Sequence, residues 1–153
     1  MKEHYSFMIE NSESYKVHIV ILTWNNNKIL KRCLESIENV DHKNFTISVI
    51  DNKSSDDSLK MISENFPNVQ TIKNSKNFKF GRGYNEGLKK INVEDNDFII
   101  LLNDDTIVSR NFIDELIYPL AKDQKAIIST PKILYSSNTV SYTHLRAHET
   151  FAN

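Results

Sequence analysis

The sequence predicts an α/β fold, a mostly parallel sheet flanked by helices. Two observations carry this. Compact runs rich in β-branched residues recur along the chain, and each is followed by a segment whose apolar residues repeat at helical spacing. Strands separated by helices of that length run parallel, because each crossover returns the chain to the same end of the sheet. The composition agrees: 39% apolar and 25% charged residues over 153 positions suit a domain with a sizeable core.

The first strand is VHIVILT, Val17–Thr23, apolar nearly throughout and so expected to be buried. Ile29, Leu30, Cys33, Leu34 and Ile37 then repeat at helical spacing and predict a helix with those five inward. FTISVID, Phe45–Asp51, is the second strand. Ser54 and Asp57 stand at capping-box spacing and predict a helix opening at Ser54, with Leu59, Ile62 and Phe66 inward and Pro67 as its stop. VQTI at 69–72 is a short third strand. A loop carrying all three glycines of the chain, Gly81, Gly83 and Gly87, leads into a helix ending near Ile91. Glycines crowded in this way indicate close backbone approach or positive φ. DFIILLN at 97–103 is the fourth strand. Ser109 is expected to cap a last helix carrying Phe112, Ile113, Leu116 and Ile117, which Pro119 should end or kink near Tyr118. AIIST at 126–130 predicts a fifth strand.

Several function classes are excluded early. Lys and Arg (19) nearly balance Asp and Glu (20), so no strong field attracts nucleic acid or an anionic membrane. No run reaches the ~18 apolar residues of a membrane span, and the N-terminus lacks a signal-peptide pattern. The single cysteine, Cys33, permits no internal disulfide and fits a reducing compartment, so a cytoplasmic location is expected. Residues 1–16 are an N-terminal extension and 17–138 the folded unit. Residues 139–153 are expected to be a non-native tail, because 140–150, VSYTHLRAHET, resembles the translation of a transposase-type sequencing adaptor. His144 and His148 have the i, i+4 spacing of two metal ligands on one helix, but they fall in that tail and are set aside.

Ligands of open parallel sheets bind outside the carboxyl ends of the strands. Every strand ends in polar residues here: Thr23-Trp24-Asn25, Asp51-Asn52-Lys53-Ser54-Ser55-Asp56, the stretch NSKNFKFGRGYNEG from 74 to 87, and Asn103-Asp104-Asp105-Thr106. Each has a plain alternative. Thr23 to Asn25 suit a turn with Trp24 as a lid on the core, and Ser54 and Ser55 suit a helix cap. Asp51 ends a buried strand and is not needed for that cap. The glycines, spaced G-x-G-x-x-x-G after the third strand, do not fit the dinucleotide fingerprint, which is G-x-G-x-x-G after the first.

The ordered motifs VILTWNN, VIDNKSSDDS, NFKFGRGYNEG and LLNDDT resemble glycosyltransferase family 2, nucleotide-sugar-dependent enzymes with the Rossmann-like GT-A fold. The last two motifs are most similar to the rhamnosyltransferase-like branch. The resemblance implies that Thr23 and Trp24 contact the nucleotide base and that Asp51 accepts a hydrogen bond from it. It places Asn77 at the opening of the donor loop and Asn85 and Gly87 at its closing Asn-x-Gly. Asn103-x-Asp105 stands where the family carries its D-x-D metal motif, with Asp105 as the metal contact. Two departures are visible: Lys79 stands where the family usually has glycine, and Asn103 replaces the first Asp. Arg82 suits a diphosphate contact or a solvent-facing position equally. Asp104 joins the donor site by adjacency, although neighbouring side chains at a strand end need not converge.

The implied reaction is transfer of a sugar from a nucleotide-diphosphate donor, a dTDP- or UDP-sugar, to a saccharide or lipid-linked acceptor in cell-surface polysaccharide synthesis. The implied cofactor is a divalent cation, Mg²⁺ or Mn²⁺, that neutralises the leaving diphosphate. An inverting transfer also needs a general base. The resemblance places it in a later, acceptor-binding half, so this chain is expected to bind donor without catalysing transfer. Glu86 and Asp114 read as helix-surface charges rather than that base. Peripheral association with the inner face of the membrane is a family-level expectation. The alternatives are a nucleotidyltransferase, using a similar sheet and metal, and a non-catalytic α/β nucleotide-binding module.

Overall fold

The computed structural model describes residues 15–95, 97–123 and 125–134. Four strands, β1 (Val17–Thr23), β2 (Phe45–Asp51), β3 (Gln70–Lys73) and β4 (Phe98–Asn103), alternate with helices α1 (Asn27–Ile37), α2 (Ser58–Asn65), α3 (Phe80–Leu88) and α4 (Phe112–Lys122). The strands form one parallel sheet in the order β3-β2-β1-β4. The chain winds outward from β1 through β2 to β3, then crosses back to lay β4 on the other side of β1. The winding direction therefore reverses between β1 and β4, which is where a doubly wound sheet opens a crevice.

Period-two alternation along β1 divides the core. Val17, Ile19 and Ile21 meet Leu30, Cys33, Leu34 and Ile37 of α1, Met61 and Ile62 of α2, and Ile113 and Ile117 of α4. Val20 points the other way, to Ile50, Ile72 and Tyr84 of α3. That second face has only α3 on it among the described elements, packed over β1 and β2. Ile99 and Leu101 of β4 are consequently 45% and 55% exposed, although they sit in the most apolar run of the chain. No described helix is long and apolar enough to cross a membrane.

The observed elements depart from expectation in several places. Ile29 does not join the inward stripe of α1 but is half-exposed. The third strand lies one residue later than expected, and α3 stops at Leu88, although Ile91 still packs on the smaller core cluster. α2 starts at Ser58, not at Ser54, and Asp57 makes no capping hydrogen bond. The Ser54 N–H instead donates to both carboxylate oxygens of Asp51 (3.1 and 3.3 Å), which turns the chain before the helix can begin. Ser109 likewise does not cap α4. Its hydroxyl donates to Asn111 Oδ1 (3.1 Å), and the helix starts after Asn111. α4 then runs through Pro119 to Lys122. Its buried anchors, Phe112, Ile113 and Ile117, all precede the proline, so packing holds the helix despite one missing N–H. Residues 126–130 form no strand. Ile127 and Ile128 are exposed, and the Ser129 hydroxyl donates to the Leu116 carbonyl (2.6 Å), tethering this segment to α4 instead of the sheet. The extension at 1–14 and the expected tail with His144 and His148 lie outside the described residues.

Asp114 is not a surface charge. It is 8% exposed, and its Oδ1 lies 2.9 Å from Nδ1 of the buried His42, whose Nε2 lies 3.1 Å from the Tyr15 carbonyl. This bridge ties α4 to the connection after α1 and to the entrance of β1. His42→Ala would leave a buried carboxylate without its partner, so it is expected to lower stability by about 2–3 kcal/mol. The check is the urea midpoint at unchanged m-value.

Candidate functional site

The carboxyl ends of β1, β2 and β4 and the start of α3 surround a cleft of about 470 Å³, lined by Thr23, Trp24, Asn52, Asn77, Lys79, Phe80 and Asp104, among others. A second cavity of about 550 Å³, between α2 and β3, is lined by Leu59, Phe66, Pro67 and neighbours and holds none of the predicted site residues. The first cleft lies at the reversal between β1 and β4.

Its organising contact crosses that reversal. The Thr23 hydroxyl donates to Asp104 Oδ2 at 2.7 Å, joining the last residue of β1 to the residue just beyond β4. Asp104 can reach because the strand ends in a turn: the Thr106 N–H donates to the Asn103 carbonyl (3.3 Å), so Asp104 and Asp105 occupy its two central positions. Asp104 is half-buried and Asp105 is exposed. Asp105 has no hydrogen-bond partner among the described residues, and Asn103 is also exposed. Trp24 is 52% exposed at the rim of the cleft and does not act as a lid on the core.

Behind the turn lies Cys33, buried on α1, with its thiol 3.7 Å from the Asn103 carbonyl. Burial above all, then the neighbouring Asp104, pushes this thiol up to about 12, so it stays protonated and acts as a core residue. Tyr84 of α3 closes the other side. Its hydroxyl donates to the Leu102 carbonyl (2.8 Å) and accepts from the Leu22 N–H (3.3 Å), stitching β1 to β4 below the cleft. Burial first, then Asp104 and Cys33, moves this phenol up to about 12.

The remaining predicted residues divide. Asp51 is 3% exposed and already accepts from the Ser54 N–H. Asn25 is exposed with φ 52° and does not line the cleft, its N–H donating to Ser54 Oγ (2.9 Å) and its Oδ1 accepting from the Ser55 N–H (2.6 Å). Asn77 lines the cleft. Arg82 and Asn85 are on exposed positions of α3 and do not line it. The Arg82 guanidinium lies 4.7 Å from the Phe78 ring and near Glu86.

Sequence reasoning passed over Asn52, which the structure puts at the centre. It is 2% exposed. Its Nδ2 donates to the Lys79 carbonyl (3.0 Å) and Asn77 Oδ1 (3.3 Å), while its Oδ1 accepts from Asn74 Nδ2 (2.9 Å) and the Phe78 N–H (3.4 Å). One side chain thus holds the whole loop from 74 to 79. The signal available in the sequence was an amide directly after a buried strand, where no helix cap requires it.

The glycines also resolve. None has positive φ; the left-handed positions are Asn25, Lys53 and Lys79. Gly83 and Gly87 serve close approach instead. A Cβ at Gly83 would come 2.8 Å from Asn52 Nδ2, and one at Gly87 would fall inside the Ile50 side chain, whereas Gly81 faces open space. Lys79 has φ 64° and ψ −164°, a region nearly confined to glycine that costs other residues ~1–3 kcal/mol. It is held there from both sides, its N–H donating to Asn77 Oδ1 (2.8 Å) and its carbonyl accepting from Asn52.

Carboxylates are the donor type that suits a hard cation. Asp104 and Asp105 offer adjacent carboxylates, and no described cluster of three or more His, Cys, Asp or Glu side chains offers a closed cage. Mg²⁺ and Mn²⁺ sites of this kind complete their shells with water and substrate phosphates.

Residues 18–152 match the profile of glycosyl transferase family 2. The chain is 33% identical over 104 residues to a dolichyl N-acetyl-α-D-glucosaminyl phosphate 3-β-D-2,3-diacetamido-2,3-dideoxy-β-D-glucuronosyltransferase of Methanococcus voltae, covering 63% of this chain and 31% of that protein. Among solved structures it resembles TarS of S. aureus in complex with UDP-GlcNAc (TM-score 0.62, 20% identity, 72% of this chain and 32% of that one). It also resembles the mannosyltransferase PcManGT of Pyrobaculum calidifontis in complex with GDP-Man and Mn²⁺ (TM-score 0.65, 15% identity, 81% and 42%). The chain therefore spans about a third of the length of the curated relative and of the TarS 1–349 fragment.

Proposed function

The chain belongs to glycosyl transferase family 2, and on that premise we propose that its cleft binds the nucleotide-diphosphate sugar donor of a glycosyltransferase. The observation that carries this reading is the Thr23–Asp104 hydrogen bond, which fastens an acidic turn across the sheet's reversal point, beside an exposed Trp24. Trp24 offers a ring face to the base, and Thr23 and Asp51 frame the same end. Asp105, with Asp104 beside it, would hold the divalent cation, Mg²⁺ or Mn²⁺. When bound, that ion neutralises charge developing on the leaving diphosphate. Asn103 and Asn77 flank the donor, while the exposed Arg82 and Asn85 border the loop.

UDP-GlcNAc and GDP-Man in the structural neighbours support a nucleotide-sugar ligand without choosing its base. The dolichyl phosphate sugar named for the curated relative supports a lipid-linked saccharide acceptor; a role in surface polysaccharide synthesis at the inner membrane face is part of the same proposal. The reading takes residues 17–138 as the donor-binding part and 139–153 as a tail foreign to it, although the family match itself runs to residue 152. Among the described residues Asp104 is the only carboxylate lining the cleft, and the proposed reading puts the general base of an inverting transfer with the acceptor-binding elements.

Isothermal titration with UDP, dTDP and GDP, each with and without Mn²⁺, tests the reading. At least one diphosphate should bind below ~1 mM and about tenfold more tightly with the metal. No binding by any of the three would sink it, and preference for a free nucleoside triphosphate would shift the assignment to nucleotidyl transfer.

A further inference from the structure

We infer that Lys79 is a specificity-determining contact for the donor diphosphate, held at the cleft by a strained backbone that the Asn52–Asn77 clamp enforces. The inference rests on the donor-site reading and names a residue that reading does not require.

The backbone at 79 sits where glycine alone is at ease, yet the residue is a lysine. Two side-chain amides grip its peptide groups, so the conformation is imposed by the surroundings. The lysine lines the same cleft as Thr23, Trp24 and Asp104, and among the described residues it is the only cationic one doing so. Its flexible stem lets the ammonium follow a ligand anywhere along that wall.

The charges make such a group useful. Asp104 and Asp105 repel a diphosphate, and one cation held by two carboxylates leaves the ligand's negative charge incompletely balanced. The N-terminus of α3, whose first residue follows Lys79, adds a favourable dipole at the same place. A lysine at 79 thus supplies a mobile positive charge on the wall of a cleft whose acidic turn has Asn103 in place of a carboxylate.

The test sets stability against affinity. Lys79→Gly and Lys79→Met are made in the 153-residue chain. Thermal midpoints are measured beside the affinity, with Mn²⁺, for the diphosphate that binds best among UDP, dTDP and GDP, and for its matching nucleoside. Lys79→Gly should raise the midpoint by about 3 °C or more by releasing strain, yet weaken diphosphate binding about tenfold. Nucleoside affinity should not change. Lys79→Met keeps the strain, so it should weaken the diphosphate equally without the thermal gain. Diphosphate affinity within twofold of the parent in both variants overturns the inference and leaves the donor reading standing. Equal weakening of nucleoside and diphosphate also overturns it, because that marks a deformed loop and not a lost charge. If none of the three diphosphates binds the parent chain, the donor reading fails and this inference with it.

Discussion

Asp105→Ala is expected to remove the metal-dependent part of nucleotide binding, a loss of tenfold or more in the presence of Mn²⁺ with little change in its absence. The side chain is exposed at a central position of the turn beyond β4 and has no hydrogen-bond partner among the described residues, so its removal should leave the fold intact. Asp104 behaves differently because it has two tasks. Asp104→Asn still accepts the Thr23 hydroxyl and should keep the turn in place while losing charge. Asp104→Ala also breaks the 2.7 Å bond to Thr23, and should lose about 1–2 kcal/mol of stability besides affinity. Titration of the preferred diphosphate against all three variants, with and without Mn²⁺, separates these roles. Full Mn²⁺ enhancement in Asp105→Ala would show that the cation, if any, is held elsewhere.

Gly87→Val, at a buried position of α3, is expected to be strongly destabilising. Any Cβ at 87 collides with Ile50, a fully buried residue in the middle of the sheet, and neither helix nor strand can yield cheaply. A loss of about 3 kcal/mol or more follows from overpacking of this kind. Gly81→Ala is the control: it meets nothing within 4 Å and should gain helix propensity, up to ~1 kcal/mol. Combining Gly87→Ala with Ile50→Ala should recover part of what either loses alone, a positive coupling that urea denaturation can read. If Gly87→Val and Gly81→Ala unfold at the same midpoint, the close approach of α3 to β2 is wrong.

The residues that could be read directly were those whose pattern has one physical solution. β1 and β2 match their predicted limits because β-branched runs bounded by polar turns fit nothing but a buried strand. Helix starts were less legible. Ser54 and Ser109 carry good capping chemistry, but Asp51 and Asn111 reach those residues first, a competition that depends on where the chain turns. Exposure along β4 was hidden too, since alternation is invisible in FIILLN and only the placement of α3 decides it. In the candidate site, the acidic turn and its location at a strand end were visible as sequence. The clamp was not. Asn52 became prominent only when its four partners, 22 to 27 residues away, were brought to it. Lys79 was marked as a departure from glycine, and its backbone angles now give the departure a cost.

The bond between Thr23 and Asp104 spans 81 residues of sequence. β1 can collect β2 and then β3 through short crossovers, but β4 docks only after the longest loop in the sheet has closed. Loop-closure entropy makes such a distant pairing a late event in folding. The cleft therefore comes into being with the final strand, and a chain arrested before that step has no cleft at all. Ligand binding would then report complete folding, and a ligand added during refolding would stabilise the finished state without guiding the steps that lead to it.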